Sequence, residues 1–320
     1  MSTQPLDFVT VDVFTKERYA GNPLAIVKVP ASSKLTQDQK QAIAREFNLS
    51  ETTFLHERQD GGDLCWTVDI FVTNAELPFA GHPTIGTACH ALSEHAKTIS
   101  QGEDVIHAKF KVKAGTIGLE YHINSNITKA SIPHNLHIHP QTYHQDRLFK
   151  HQPGLAHCIG ENSTELKTQE FPIVSIVKGM TFVLIELDDG EQIESITTNA
   201  KPLSLKGLDE EWHPKDAFVG SYFYYRLKDA EDGAKRVRTR MIEGTLEDPA
   251  TGSAASDLAG YLALQEGKPG QTMKFEITQG LEMGRKSDIG VEVVLGDDGN
   301  IREVYLIGSA VGVMEGRVTV

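Results

Sequence analysis

The chemistry in this chain gathers in two short stretches. In "LEDPATGSAASDLAGYL" (246–262) two acids precede a proline, and Thr251, Gly252 and Ser253 then open a run of alanines and leucines. Proline at a first helical position pre-sets the backbone and gives up no needed donor. The residues after it offer N–H groups that point out of the helix end. Together with the partial positive charge of the aligned peptides they form a ready anion site. Gly252 lets a ligand approach the backbone, and Ser253 adds a hydroxyl donor. Asp248 would then stand beside a bound carboxylate as acid or base. A plainer reading competes with this one: an aspartate before a helix very often does no more than cap it.

The second stretch, "GHPTIGTACHAL" (81–92), repeats the plan. When "HPTIGTAC" is set over "DPATGSAA", Pro83 falls on Pro249, Gly86 on Gly252, Thr87 on Ser253, and His82 on Asp248. The alignment predicts an internal duplication with His82 and Asp248 at matched positions. Two such helix mouths facing one cleft would grip a carboxylate and leave the imidazole and the carboxyl beside it. A loop histidine with a purely structural hydrogen bond is the competing reading for His82.

Other elements must hold these stretches in place. "LDFVTVDVF" (6–14) alternates as a strand does, and a Gly-Asn-Pro turn leads to a second strand. Thr36 followed by Gln39 is a capping-box signature, so a surface helix is expected over about 37–47. A strand begins near Thr52, with Glu51 at its entrance. Read from the residues alone, Glu51 is a solvated strand-end glutamate. Further strands are expected at 64–73, three of them between Val105 and Ile123, and at 171–179, 180–187, 216–227 and 235–242. A weaker helix is expected over about 205–211, where Lys206-Gly207 interrupts it. "NSN" at 124–126 marks a boundary. The domains expected are 1–125, with the C-terminal strand near 308–320 available to complete the first, and 126–307.

Composition narrows the function. The 320 residues suffice for two ordinary domains, and 39% hydrophobic with 23% charged residues describes a soluble globular protein. No apolar run approaches the roughly 20 residues needed to span a bilayer, and the N-terminus lacks the pattern of a secretory signal. Lysine and arginine number 31 against 44 acids, a net charge of −13. That opposes nucleic acid or an anionic membrane as partner but leaves a small anionic substrate open. The three cysteines, Cys65, Cys89 and Cys158, show no disulfide or metal spacing, which fits a reducing cytoplasm. The histidines of "HNLHIHP" (His134, His137, His139) look metal-like, yet no acid or cysteine stands at a ligand spacing, so no metal is expected. "GLEMGRKS" (280–287) misses the phosphate-loop spacing. No dinucleotide fingerprint follows a strand, and no Gly-x-Ser-x-Gly elbow is present.

Taken in order, "VDVFTKERYAGNPLAIV", "SETTFL", "ELPFAGHPTIGTA", "EDPATGSAA" and "MGR" resemble the PhzF-like (phenazine biosynthesis-like) family over nearly the whole chain. The resemblance implies an α+β diaminopimelate epimerase-like fold. That fold has two pseudo-symmetric domains, each a curved sheet wrapped around a central helix, with the active site between them. It implies a cofactor-independent isomerase that moves a carbon-bound proton on a small carboxylate. The catalytic glutamate of the family's Ser-Glu-Thr motif is Glu51 here, joined by His82 and Asp248. Gly81, Gly252, Ser253 and Asn22 are implied as substrate contacts. A homodimer is implied as well.

Three departures leave the proton-transfer residues intact and the substrate open. Phe71-Val72-Thr73 stands where Phe-Thr-Pro is usual. "RMIEGTLEDP" lacks the usual aromatic and proline. Gly284-Arg285-Lys286-Ser287 replaces Gly-Arg-Pro-Ser. Neither helix mouth carries the cysteine that related epimerases use, and Cys89 lies about two turns inside its helix. A thiol two-base racemase is therefore disfavoured. An epimerase or lyase on the same scaffold, or a non-catalytic protein that binds small carboxylates, are the alternatives.

Overall fold

The alternating N-terminal stretch forms strand β1 (Leu6–Val13). The turn after it leads into antiparallel β2 (Asn22–Val29), with Val13 opposite Asn22. The turn needs glycine: Gly21 has φ +65°, and a Cβ there would strike the Val13 carbonyl. The structure is a computed structural model that describes residues 5–58, 62–98, 104–161, 166, 169–199, 201–214 and 217–320. It divides into two units, one of residues 1–132 with 305–320 and one of residues 133–304.

In the first unit α1 (Gln37–Phe47) starts at the expected capping box, with Thr36 and Gln39 bonded reciprocally. It carries the chain to β3 (Thr52–His56), parallel to β2. Next come β4 (Cys65–Phe71), the short β5 (Glu76–Leu77) and helix α2 (Gly81–Ala96). Strand β6 (Val105–Val112) lies parallel to β4 and is followed by β7 (Gly115–His122) and β8 (Ile127–Ser131). Only two strands fill 105–122, not three, because a tight turn into Gly115 (φ +131°) joins two eight-residue strands.

The second unit opens with β9 (His137–His144), α3 (Gln145–His151), α4 (Pro153–Glu161), β10 (Glu170–Val177) and β11 (Met180–Glu186). It continues through α5 (Gly190–Glu194), β12 (Phe218–Arg226), β13 (Lys235–Glu243), β14 (Leu246–Asp248) and α6 (Gly252–Glu266) to β15 (Thr272–Gln279) and β16 (Ser287–Leu295). The helix expected over 205–211 is not formed. Gly207 takes a left-handed φ of +75°, and the helix of this connection is instead α5, capped by the Asp189 side chain on Gln192 N–H. Strands β17 (Ile301–Gly308) and β18 (Ala310–Val318) end the chain. The last residues of β17 pair with β8, and β18 pairs with β1.

The two units share one pairing plan. β1/β2, β2/β3, β3/β4, β4/β5, β4/β6 and β6/β7 are antiparallel, parallel, antiparallel, antiparallel, parallel and antiparallel. β10/β11, β11/β12, β12/β13, β13/β14, β13/β15 and β15/β16 follow the same order. The duplication is real, but its register differs from the sequence alignment. Phe71 pairs with Glu76 and α2 opens at Gly81; Ile242 pairs with Glu247 and α6 opens at Gly252. Gly81 therefore matches Gly252, His82 matches Ser253, and Asp248 matches Leu77. His82 and Asp248 are not equivalent: one is the second residue of a helix, the other the last residue of a strand.

Each central helix is buried nearly all round, as a helix enclosed by its own sheet must be. Helix α2 lies against β1, β2, β3, β7, β8 and β18, and α6 against β10, β11, β15 and β16. Small residues make the enclosure possible. A Cβ on Gly86 would fall 2.5 Å from Val13 Cγ2 and 2.7 Å from Leu24 Cδ2. One on Gly260 would fall 2.6 Å from Leu136 Cδ1. Among the described residues no helix is long and apolar enough to cross a membrane.

Asp257 breaks the apolar pattern of α6. It is fully buried, and neither carboxyl oxygen has a hydrogen-bond partner. Burial alone pushes its pKa well above the ordinary value. A carboxyl whose pKa is raised by folding stabilises least when the medium would ionise it. Stability is lost as pH climbs from the unfolded value of about 4. Asp257→Ala is therefore expected to gain thermal stability relative to the parent protein as pH rises from 5 to 9, read by calorimetry. A difference that does not change with pH would show that Asp257 ionises freely.

Candidate active site

Glu51 is the residue before β3, at the point where the chain enters the sheet. Thr52 is held on both sides, by Ala25 of β2 and Phe71 of β4. The Thr53 hydroxyl meets that of Thr87 in α2 at 2.9 Å, which ties the start of β3 to the first turns of the helix. These restraints bring Glu51 Oε2 to 3.3 Å from Nδ1 of His82, close enough for an ion pair when the imidazole is protonated. The side chains are only 17% and 5% exposed.

Burial raises the Glu51 carboxyl from 4.5 to about 7, while the Ser50 hydroxyl pulls the other way. Ser50 Oγ also lies 3.4 Å from Asn22 Oδ1. Asn22 is itself buried at the start of β2. Gly81 is the first residue of α2, whose N-cap, Ala80, supplies no side-chain acceptor. The first unit thus brings Glu51, His82, Gly81 and Asn22 to one place.

The second unit holds Asp248, Gly252 and Ser253 at the start of α6. Asp248 is not the N-cap. Thr251 takes that position, and its hydroxyl donates to Asp248 Oδ2 at 2.6 Å rather than serving the helix amides. Beside it, the Arg240 guanidinium forks onto both oxygens of Glu247 at 2.8 Å. The same guanidinium donates to the carbonyls of Ile193 and Ile196. Arg240 therefore ties β14 to the end of α5 and sets the strand from which Asp248 projects. Sequence reasoning missed Arg240 and Thr251. In "KRVRTRMI" every second residue from Arg236 to Arg240 is an arginine, and nothing in the pattern marks one of them as the buried one.

Cys89 is buried inside α2, with Sγ at 3.2 Å from Thr128 Oγ1, and its thiol is pushed up to about 11 by burial. It stays protonated and is no general base. Two histidines of the 134–139 stretch have structural places. His137 stacks on Trp212 with ring centres 4.5 Å apart. His139 meets Ser175 Oγ at 2.9 Å and is held neutral by burial, down to about 4. Among the described residues no three His, Cys, Asp or Glu side chains form a group that could hold a metal.

Two units of one pairing plan, each enclosing a helix of small residues, define the diaminopimelate epimerase-like fold. A crystal structure of a PhzF-family phenazine biosynthesis protein from Bacillus anthracis has that fold, with a TM-score of 0.72 at 18% identity over 99% of this chain and all of the other. The chain belongs to the phenazine biosynthesis-like (PhzC-PhzF) family, whose model matches residues 11–316. It is 32% identical over 98% of its length to an uncharacterized isomerase of Mesorhizobium japonicum, covering 99% of that protein. It is 29% identical to a trans-2,3-dihydro-3-hydroxyanthranilate isomerase of Pseudomonas fluorescens, over 88% of each chain. The protein is an isomerase of this family.

The raised Glu51 carboxyl has a thermodynamic consequence. Its contribution to folding is fully present below about 4.5 and is lost as pH rises through about 7. The displacement is worth up to about 3 kcal/mol. Glu51→Gln carries no charge at any pH. Its unfolding free energy, measured in urea, is expected to exceed that of the parent by a margin that opens above pH 4.5 and levels off above 7. An equal margin at pH 4 and pH 8 would show that the group is not raised.

Proposed function

We propose that the protein is a cofactor-independent isomerase of a small carboxylate in which Glu51 takes a proton from one carbon and returns it to another. The observation that carries this is a carboxyl raised to about 7 and set 3.3 Å from a buried imidazole. A general base works best with a pKa near the working pH, because it is then both sufficiently ionised and sufficiently basic. His82 hands a proton to, or takes one from, the substrate or Glu51 during the shuttle. Asp248 acts on the same substrate from the second unit as the complementary acid–base or orienting group. The N–H groups of the two helix mouths, at Gly81 and at Gly252 and Ser253, hold the substrate carboxylate. They stabilise the charge that builds up as it takes on enediolate character, each donor lowering the barrier by about 3 kcal/mol. Such a proton shuttle needs no metal or organic cofactor. A homodimer belongs to the same proposal and is read by light scattering.

The substrate class follows the named relative: a cyclic carboxylate with neighbouring amino and hydroxyl groups, for which trans-2,3-dihydro-3-hydroxyanthranilate is the first probe. The protein is incubated with this compound and with smaller hydroxy and amino carboxylates in D₂O, and carbon-bound protons are followed by NMR. Loss of a carbon-bound proton signal is expected with the parent protein and at least 100-fold more slowly with Glu51→Gln. The rate should rise with pH to a plateau above about 7, because the base must be ionised to accept the proton. Equal behaviour of both proteins on a compound that binds would remove Glu51 as the base and favour a binding protein. Inversion at the exchanging carbon would mark an epimerase, and loss of water a lyase.

A further inference from the structure

We infer that Gln279, through Thr251, is a positioning residue for Asp248. The inference rests on the reading of Asp248 as an acid–base group of the isomerase. Gln279 is the last residue of β15, fully buried, and far from Asp248 in sequence. The orientation of its amide is forced by its neighbours. Oε1 faces the Thr251 backbone N–H at 3.4 Å, a group that only donates. Nε2 faces the Asp248 carbonyl at 2.8 Å, a group that only accepts. The amide therefore clamps the turn between β14 and α6 at both ends.

The same Nε2 donates to Thr251 Oγ1 at 3.0 Å. A threonine hydroxyl has one hydrogen, and with its oxygen receiving the amide that hydrogen is directed to Asp248 Oδ2 at 2.6 Å. The length suits a bond to a carboxylate. A one-way relay results, Gln279 N–H to Thr251 O–H to Asp248. It explains why the N-cap hydroxyl of α6 leaves the helix amides unserved. The acceptor end of Gln279 is fixed from behind by Tyr222, fully buried, whose hydroxyl lies 3.2 Å from Oε1 and 3.1 Å from Thr239 Oγ1. The reach of the side chain is fixed as well. Gly280 takes φ +76°, and a Cβ there would come within 2.7 Å of the Pro249 carbonyl, so the end of β15 presses directly on the Asp248-Pro249 turn.

A residue acting through Thr251 should lose its effect once that hydroxyl is gone. The test uses Gln279→Met, Thr251→Val, Thr251→Ser and the Gln279→Met/Thr251→Val double variant. Each is checked for folding by calorimetry and assayed by deuterium exchange from trans-2,3-dihydro-3-hydroxyanthranilate. Gln279→Met and Thr251→Val are each expected to lower kcat by about 10- to 100-fold with KM within about threefold. Thr251→Ser should stay within about threefold of the parent, and the double variant should be no slower than Thr251→Val. Additive losses, or a Thr251→Ser as slow as Thr251→Val, would overturn the inference, because packing rather than the hydroxyl would then be at work. Crystal structures of unliganded Gln279→Met read the geometry without turnover. Thr251 Oγ1 is expected to turn from Asp248 toward the helix amides, and its staying within 2.8 Å of Oδ2 would overturn the inference. If the parent protein exchanges nothing while the hydroxyl turns as expected, the isomerase reading fails and the positioning stands.

Discussion

A helix can be enclosed by its own sheet only if it presents almost no side chain to it. The rest of this structure depends on that constraint. At Gly86 a single methyl group would intrude on Val13 and Leu24. Ala254, Ala255 and Ala259 meet the same limit in α6 with zero exposure. Because the flanks of each helix are consumed by packing, polar chemistry is confined to its first turn. There the amides are unpaired by the helix and the strand that precedes it can present a side chain. His82 and Ser253 stand on those turns, and Glu51 and Asp248 at strand ends.

The enclosed packing also sets the electrostatics. Glu51 is raised to about 7 because the sheet and helix around it leave little water, with the Ser50 hydroxyl as a modest counterweight. Glu247, next to Asp248, has a different setting: the buried Arg240 guanidinium holds it in a two-point fork. The two carboxyls illustrate a division of labour. The ion-paired Glu247 serves as an anchor. A glutamate buried beside a neutral or protonated imidazole keeps a proton available near neutral pH, at a cost in stability.

Much of this was legible in the residues. The capping box of α1 and the strand ahead of it follow from local rules, and the motif around Glu51 and His82 follows from the resemblance. The duplication was visible, but its register was not. Alanines and glycines recur so densely in both helices that several alignments look alike. The alignment on Pro83 and Pro249 is one of them. The register is decided by strand pairing, Phe71 with Glu76 and Ile242 with Glu247, which joins residues across a turn and leaves only "ELP" and "EDP" as its trace. The helix expected at 205–211 failed on a left-handed glycine. Gln279 and Arg240 were out of reach for a different reason: each acts on Asp248 or its neighbour from another strand, and no periodicity records such a partnership.

The corrected register bears on the chemistry. A two-base racemase is served by a duplicated fold that places the same kind of acid–base group at equivalent points of both halves. Here the equivalents differ in kind. Thr52 matches Ser221 through their partners Phe71 and Ile242, so Glu51 matches Gly220. His82 matches Ser253, and Asp248 matches Leu77. None of Glu51, His82 and Asp248 has a titratable equivalent in the other half, and the one buried thiol, Cys89, is pushed up to about 11, far from service as a base. Symmetry of fold has been kept while symmetry of chemistry has been lost. The first unit holds a carboxyl with a raised pKa beside an imidazole. The second holds a carboxyl oriented by a hydroxyl and an amide. Unlike groups at the two helix mouths stand in place of the matched pair that a two-base racemase would need.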